Sequence, residues 1–233
     1  MTLLLCNYPE FKIDSSWKIP SNLRDIIQKA WQIQYEELYE ENADGTGLLE
    51  DYIAEILDAI WSKNDILGHH RFVLMALILT LAVEPTVKAY LPDDIRTRIV
   101  LNLLNIKQIY SAQINPSLVS EINNQLFPKN SIGSQAIDEA LDVCRNAVRV
   151  IDSNQAKAAL LEMLDDCFEG YAIFPGSQGR RDLFNWWLLE VVPATWCLKF
   201  PRLLYTMKGL QKIEPNLLLR FNNRLLNLND HLS

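Results

Sequence analysis

Hydrophobic residues recur with the period of an α-helix along most of the chain. After Ser21, the residues Ala30, Trp31 and Leu38 follow the spacing of one helix face. Serine is a common residue at the start of helices because its side chain can cap the first free amides. The pattern therefore predicts a helix from Ser21 to about residue 41, where turn-forming residues begin.

A second helix is predicted directly after that turn. Leu49, Ile53, Ile56 and Ile60 lie on one face of a helix that runs from residue 48 to about residue 62. The polar residues between them fall on the opposite face. This segment should therefore pack on a core along one side and face solvent along the other.

Prolines and capping residues predict the bounds of the remaining helices. Asp65 is suited to cap a third helix, which should end before Pro85 because proline lacks the amide hydrogen that a helix interior needs. Pro193 is expected to interrupt a later helix for the same reason. No segment shows the period-two pattern of a strand, so no strand is predicted. The other predicted helices span residues 92–113, 116–126, 135–151, 154–169, 180–192, 201–213 and 215–229.

These elements predict an all-α fold, either a multi-helix bundle or a stack of αα-hairpins. Helix pairs start near residues 48, 93, 136 and 180, at intervals of 45, 43 and 44 residues. In this spacing the chain resembles the HEAT-like α-solenoids, which repeat helices every 40–47 residues or so, although the segments share no residue signature. We expect a single helical domain over residues 1–233, with a sub-boundary near 128–134.

The composition is that of a globular protein with a packed core. Hydrophobic residues make up 49% and charged residues 22% of the chain. The net charge of −7 argues against nucleic-acid binding, which depends on neutralising phosphates. The four cysteines form no CxxC pair, and the N-terminus lacks the pattern of a signal peptide, so a cytoplasmic location is expected.

One apolar segment bears on membrane association. The longest charge-free apolar run, 72–83, has 12 residues, whereas a membrane-spanning helix needs about 20. We therefore predict a helix that is buried on most of its sides within the protein.

Two acidic pairs carry an enzyme-like pattern. Glu37 and Glu40 form an ExxE pair, and Glu55 and Asp58 form an ExxD pair on the next predicted helix. The i, i+3 spacing places each pair on one helix face, and Mg²⁺ prefers hard oxygen ligands. The pattern resembles the motif of the all-α nucleoside triphosphate pyrophosphohydrolases of the MazG type. This resemblance implies four carboxylates that hold Mg²⁺ against a triphosphate. The alternative is a solvated face, since the apolar residues of the second helix lie opposite its carboxylates.

The last third of the chain differs from the rest in charge and in aromatic content. Residues 1–170 hold 14 basic and 25 acidic residues, a net charge of −11, whereas residues 171–233 hold 8 and 4, a net charge of +4. Arginine and aromatic residues are typical anchors of protein interfaces. Pro193 and Pro201 are expected to leave a short exposed segment between them. The predicted partner-binding residues are Arg180, Arg181, Trp196, Lys199, Phe200 and Arg202.

A glycine-containing loop precedes two of these arginines. Gly176 and Gly179 flank a short polar segment that leads into Arg180 and Arg181. Free backbone amides beside two arginines can hold an anion. The simpler interpretation is an ordinary loop that begins a helix.

Taken with the lack of an ExxH, HExxH or GxSxG motif, these features favour a non-enzymatic interaction or regulatory module. Its expected partner is another protein, with peripheral membrane contact as the rival, and it needs no cofactor. The alternative is the magnesium-dependent pyrophosphohydrolase that uses Glu37, Glu40, Glu55 and Asp58.

Overall fold

The computed structural model describes residues 11–61, 67–104, 115–128, 133–170 and 172–213. Helices dominate these residues, which confirms the all-α fold class, and one two-stranded sheet accompanies them. The elements in chain order are α1 (Ser21–Gln32), a 3₁₀ turn (Glu36–Leu38), α2 (Leu49–Ile60), α3 (Leu67–Tyr90), α4 (Arg96–Leu103), α5 (Pro116–Leu126), α6 (Gln135–Arg149), α7 (Ala156–Glu169), α8 (Arg180–Trp186), a π-helical turn (Trp187–Val191), α9 (Val192–Trp196), β1 (Leu203–Thr206) and β2 (Gly209–Lys212).

Helix α3 lies at the centre of the fold. Every residue from Phe72 to Val83 is buried, because apolar residues occupy all faces of this part of the helix. Helices α4, α6, α7 and α9 and strand β1 all pack against it. The predicted burial of this segment on most sides is therefore what the structure shows.

The length of α3 also bears on membrane spanning. Within the described part of the chain, α3 is the one helix that is long and apolar enough to cross a membrane, judged by length and composition. Its 24 residues include a stretch of mean hydropathy 1.8, of which 78% is buried inside the protein. A central core helix of this kind meets the same criteria.

The prediction that Pro85 ends the third helix is wrong, since α3 continues to Tyr90 with Pro85 inside it. Proline in a helix interior costs about 3 kcal/mol. The turn after Pro85 is held by tertiary contacts: Thr86 and Val87 are buried, and the Thr86 hydroxyl donates a hydrogen bond of 2.7 Å to the Ile173 carbonyl. These contacts offset the missing backbone hydrogen bond.

Pro193 does not break its helix either. Residues 180–196 run continuously from α8 through the π-helical turn into α9. Pro193 falls in the first turn of α9, directly after the wide π-helical turn. The π-helical turn interrupts the regular i to i−4 hydrogen-bond ladder directly before this position, so a residue without an amide hydrogen fits within the continuous helical run. Residues on either side of Pro193 are buried, so the predicted exposed segment starts later than expected.

A β-hairpin replaces the helix predicted at 201–213. Strands β1 and β2 pair antiparallel, with Leu203 opposite Lys212 and Thr206 opposite Gly209. Gly209 adopts a φ of +86°, which suits glycine in a tight hairpin turn. The indole nitrogen of Trp186 donates a hydrogen bond of 3.0 Å to the Leu203 carbonyl and fixes the hairpin to the helical core.

Helix α1 begins at Ser21, but Pro20 holds the N-cap position and no side chain caps the helix, so the predicted Ser21 cap is not formed. The helix ends at Gln32 rather than near residue 41. The chain then becomes extended and places the ring of Tyr35 in the core. The Tyr35 hydroxyl donates a hydrogen bond of 2.9 Å to the Ala30 carbonyl in the last turn of α1. This early end takes Glu37 and Glu40 off the helix on which the carboxylate motif was predicted.

Some predictions lie outside the described residues. These are the helix at 215–229, the Asp65 cap and the second half of the helix at 92–113. The solenoid repeat and the single domain over 1–233 stay predictions.

Candidate interaction surface

The six predicted partner-binding residues divide into two groups by their contacts. Arg180 and Arg181, at the start of α8, contact residues 31–40. Arg202 instead contacts residues 14–16, and Trp196 stacks on Arg71. The structure therefore separates what the sequence suggested as one patch.

Arg181 is an internal anchor. Its guanidinium donates hydrogen bonds to the carbonyls of Ile33, at 2.7 Å, and Trp31, which are left free where α1 ends. It also pairs with the Glu40 carboxylate at 3.0 Å and bonds the Asn185 side chain at 3.1 Å. With its donors engaged in this way, Arg181 holds α1 against α8 and has little left to offer a partner.

Arg180 is placed differently, because its guanidinium lies over an exposed ring. The guanidinium carbon is 4.1 Å from the centre of the Tyr39 ring, and the same group donates a hydrogen bond of 3.2 Å to the Glu37 carbonyl. Tyr39 is 75% exposed. Stacked arginine and tyrosine side chains of this kind are frequent anchors at protein interfaces.

Tyr39 also has an unusual backbone. Its φ of 59° and ψ of 40° lie in the left-handed region, where non-glycine residues are uncommon. The conformation ends the 3₁₀ turn, and the Tyr39 amide donates a hydrogen bond to the Glu36 carbonyl at 2.9 Å. Strained residues of this type cluster at functional sites, so the position marks a candidate surface.

The second group is only partly exposed. Phe200 is 7% exposed, which corrects the prediction that Phe200 lies in an exposed segment. Trp196 is half-buried, and the Arg71 guanidinium stacks on its ring at 3.8 Å. Arg202 is exposed but pairs with Asp14. Lys199 is exposed. Exposed basic side chains thus remain here, while the aromatic rings belong largely to the core.

The four carboxylates of the magnesium hypothesis each have a separate environment. A Glu37 carboxylate oxygen accepts a hydrogen bond of 3.2 Å from the Leu49 amide, and Glu40 pairs with Arg181. Glu55 lies 3.7 Å from the Lys29 ammonium. Asp58 lies 2.6 Å from the Lys157 ammonium. Within the described ranges, no group of three or more potential ligands is placed to hold a metal ion.

A groove of about 300 Å³ lies between α2 and α7, next to Glu37. We call it the acidic groove. Its lining contains apolar residues that are largely buried and carboxylates that are exposed. The apolar floor consists of Leu49, Ile53, Leu161 and Phe168, and the rim of Glu37, Glu50, Glu162 and Asp165. Leu48, at the start of α2, is 57% exposed and adds apolar surface beside the groove.

A second cleft of about 310 Å³ between α6 and α7 shares part of this rim. Glu162 and Asp165 line both cavities, so the two form one continuous surface. In the second cleft, burial together with the nearby charges of Asp142 and Asp165 raises the pKa of Asp166 to about 8. Burial of the Asp166 carboxyl is the main cause and repulsion from the neighbouring carboxylates the second, and both favour its protonated form.

The cysteines and histidines of the described residues offer no reactive pair. Cys144 and Cys167 are buried free thiols, and burial raises the pKa of both. A ring nitrogen of His69 lies 2.8 Å from the Val150 carbonyl, and burial lowers the pKa of the ring. Cys6 and His231 lie outside the described residues.

No protein-family model matches this chain, and neither the curated proteins nor the solved structures contain a significant match. The candidate surface therefore rests on the residues of this chain alone.

Sequence reasoning missed the acidic groove because its two walls are far apart in the chain. The α2 wall contributes Glu50, and the α7 wall contributes Glu162 and Asp165, each on an ordinary polar helix face. The available signal was the excess of acidic residues before residue 171. That excess does not reveal which of the acidic residues come together.

Proposed function

We propose that this protein is a non-enzymatic interaction module of the cytoplasm. Its partner, on this proposal, is another protein that contacts the surface formed by Tyr39, Arg180 and the acidic groove. The observation that carries the proposal is the exposed Tyr39 ring, which is held in a strained backbone conformation and stacked on Arg180 beside an open groove. Backbone strain at a non-glycine residue is found most often at functional sites, which supports the proposal.

We propose a second contact region at Trp196, Lys199 and Arg202. Its support is the exposure of Lys199 and Arg202. Arg181 and Phe200 are left out, because the first is engaged with α1 and the second is buried.

We favour an interaction module over the magnesium-dependent pyrophosphohydrolase for a geometric reason. Catalysis by that route needs carboxylates that converge on one ion. Glu40 and Asp58 instead form ion pairs with Arg181 and Lys157. Each pair would have to separate before its carboxylate could take a metal.

Site-specific photo-crosslinking tests the proposed surface. A photoreactive phenylalanine analogue replaces Tyr39, Lys199 or, as the control, Tyr90, whose side chain is also exposed but lies at the far end of α3. In lysate of the native host, we expect a discrete crosslinked species from position 39 that disappears when Arg180→Glu is added. Position 199 reports on the second contact region.

Two outcomes contradict the proposal. Crosslinks from Tyr90 alone would place the partner elsewhere. No crosslink at any of the three positions, together with magnesium-dependent hydrolysis of a nucleoside triphosphate by the purified protein, would favour the enzyme.

A further inference from the structure

We propose that the acidic groove binds a short segment of a partner protein that carries lysine or arginine beside a large apolar residue. This inference rests on the proposed function and adds the chemical class of the partner. In this inference the acidic residues before residue 171, and not the basic residues of the last third, carry the charge that meets the partner.

The floor of the groove supplies an apolar contact. Leu161 is half-buried, and Ile53 and Phe168 lie largely buried beside it. The cavity of about 300 Å³ is large enough for one long apolar side chain. Burial of such a side chain gives affinity without a charge requirement.

Two rim carboxylates on opposite walls supply negative charge that no described basic residue pairs with. Glu50 and Asp165 are exposed on opposite walls of the groove, and neither forms a salt bridge among the described residues. The arginines around the groove are already engaged: Arg149 pairs with Glu162, and Arg145 pairs with Asp142 at 2.6 Å. Arg180, beside Glu37, stacks on Tyr39 and donates to the Glu37 carbonyl. A cationic side chain from a partner would therefore meet carboxylates that are free to pair with it.

The adjoining second cleft shares Glu162 and Asp165 with the groove, but its own arginines, Arg145 and Arg149, already pair with Asp142 and Glu162. Burial raises the pKa of Asp166 in this cleft, which favours its protonated form. The inference therefore places one cationic side chain at Glu50 and Asp165, on the rim of the acidic groove.

Other occupants fit the groove less well. A second copy of this chain carries a net charge of −7, which opposes its approach to the groove. Docking of a second copy through its exposed basic residues would appear as self-association. Nucleic acid and anionic membranes are repelled by the same rim. A basic and apolar peptide satisfies both the floor and the rim.

Fluorescence anisotropy with three labelled peptides of equal length tests the inference on the full-length protein. The peptides alternate lysine with leucine, lysine with serine, and glutamate with leucine. We expect the lysine–leucine peptide to bind most tightly, and its affinity to fall with added salt because the rim charges are screened. The lysine–serine peptide lacks the apolar contact, and the glutamate–leucine peptide is repelled.

A matched pair of double variants locates the site. Glu50→Gln with Asp165→Asn removes the two unpaired rim charges and should weaken lysine–leucine binding about tenfold or more at low salt. Glu121→Gln with Asp93→Asn makes the same charge change at exposed positions that line neither cavity, and it controls for net charge. Circular dichroism verifies that both variants are folded.

Equal affinity of the two double variants would overturn the inference, as would equal binding of the lysine–serine and lysine–leucine peptides. A crosslinked partner at Tyr39 that the lysine–leucine peptide does not displace would leave the proposed function standing and reject the basic segment. Displacement of that partner by the lysine–leucine peptide would support both the proposed function and the basic segment.

Discussion

Gly176 lies directly against Gly209, so that the loop before α8 touches the turn of the β-hairpin. A methyl group placed on Gly176 would lie 2.5 Å from the Gly209 backbone nitrogen and 2.7 Å from the Lys208 carbonyl carbon. Real side chains essentially never approach backbone this closely. The contact joins the hairpin, which the sequence did not predict, to the loop that positions Arg180 and Arg181.

The first prediction concerns this contact. Gly176→Ala should destabilise the protein by about 1–3 kcal/mol, because the obstacle is backbone and cannot rotate away. Gly47→Ala is the control: its methyl group would meet the Ile33 side chain at 3.0 Å, and side chains can move. Chemical denaturation should show the larger loss for position 176, and an equal loss at both positions would mean that the hairpin turn is free to shift.

The second prediction concerns the end of α1. Arg181→Met keeps an unbranched apolar stem but removes the hydrogen bonds to the carbonyls of Ile33 and Trp31. We expect a loss of about 2–3 kcal/mol in the free energy of unfolding, since the carbonyls lose a charged donor. Arg98→Met, at an exposed position of α4, should stay within about 0.5 kcal/mol of the wild type.

If the two arginine variants have the same stability, Arg181 is free to serve a partner as the sequence suggested. Binding measured with Arg181→Met at a temperature where it is folded would then report on that role directly.

The third prediction is a pH dependence. The pKa of Asp166 is about 8 in the folded protein, well above the ordinary value of 3.8, so between these values the folded state holds a proton that the unfolded state has lost. Stability from this group is therefore largest near pH 4 and falls as the pH rises to about 8. Asp166→Asn should remove the loss of stability that this carboxyl causes as the pH rises.

Thermal unfolding between pH 5 and pH 9 measures this effect. As the pH rises, the free energy of unfolding should fall less for the variant than for the wild type. At pH 9 the variant should be more stable than the wild type by more than about 1 kcal/mol. The charged groups around Asp166 are Glu139, Asp142, Arg145, Arg149, Glu162, Asp165 and Glu169. Parallel pH profiles for the variant and the wild type would mean that the pKa of Asp166 is not raised in the folded protein.

The fourth prediction separates a solvated face from a magnesium site. Glu55→Ala with Asp58→Ala should change the free energy of unfolding by less than about 1 kcal/mol, because both carboxylates are exposed and surface ion pairs contribute little. Magnesium should leave the melting temperature of the wild type unchanged. A magnesium-dependent rise that is lost in the double variant would support the pyrophosphohydrolase.

Helical periodicity predicted most of the fold because the helices bury one face or, in α3, all faces. The positions of α2, α5, α6 and α7 agree with the prediction within a few residues. The errors occur where tertiary contacts outweigh local preference: Thr86 holds the turn after Pro85, and Trp186 fixes a leucine-rich segment as a hairpin. Neither contact can be predicted from the local sequence, because each joins residues that are far apart in the chain.

The candidate surface was predictable only in part. Composition drew attention to Arg180, but its stacking partner Tyr39 lies more than 140 positions earlier in the chain. The acidic groove likewise joins α2 to α7. A surface of this kind is created by packing, and single-sequence patterns describe one helix at a time.

The left-handed backbone of Tyr39 has a consequence for how this protein evolves. Selection for stability alone should replace Tyr39 by glycine or asparagine, which adopt this conformation at lower cost. On the proposed function, a tyrosine at this position is the signature of a trade-off, in which fitness gained through the exposed ring outweighs a small loss of folding free energy. The same proposal predicts that descendants without the partner replace this residue early.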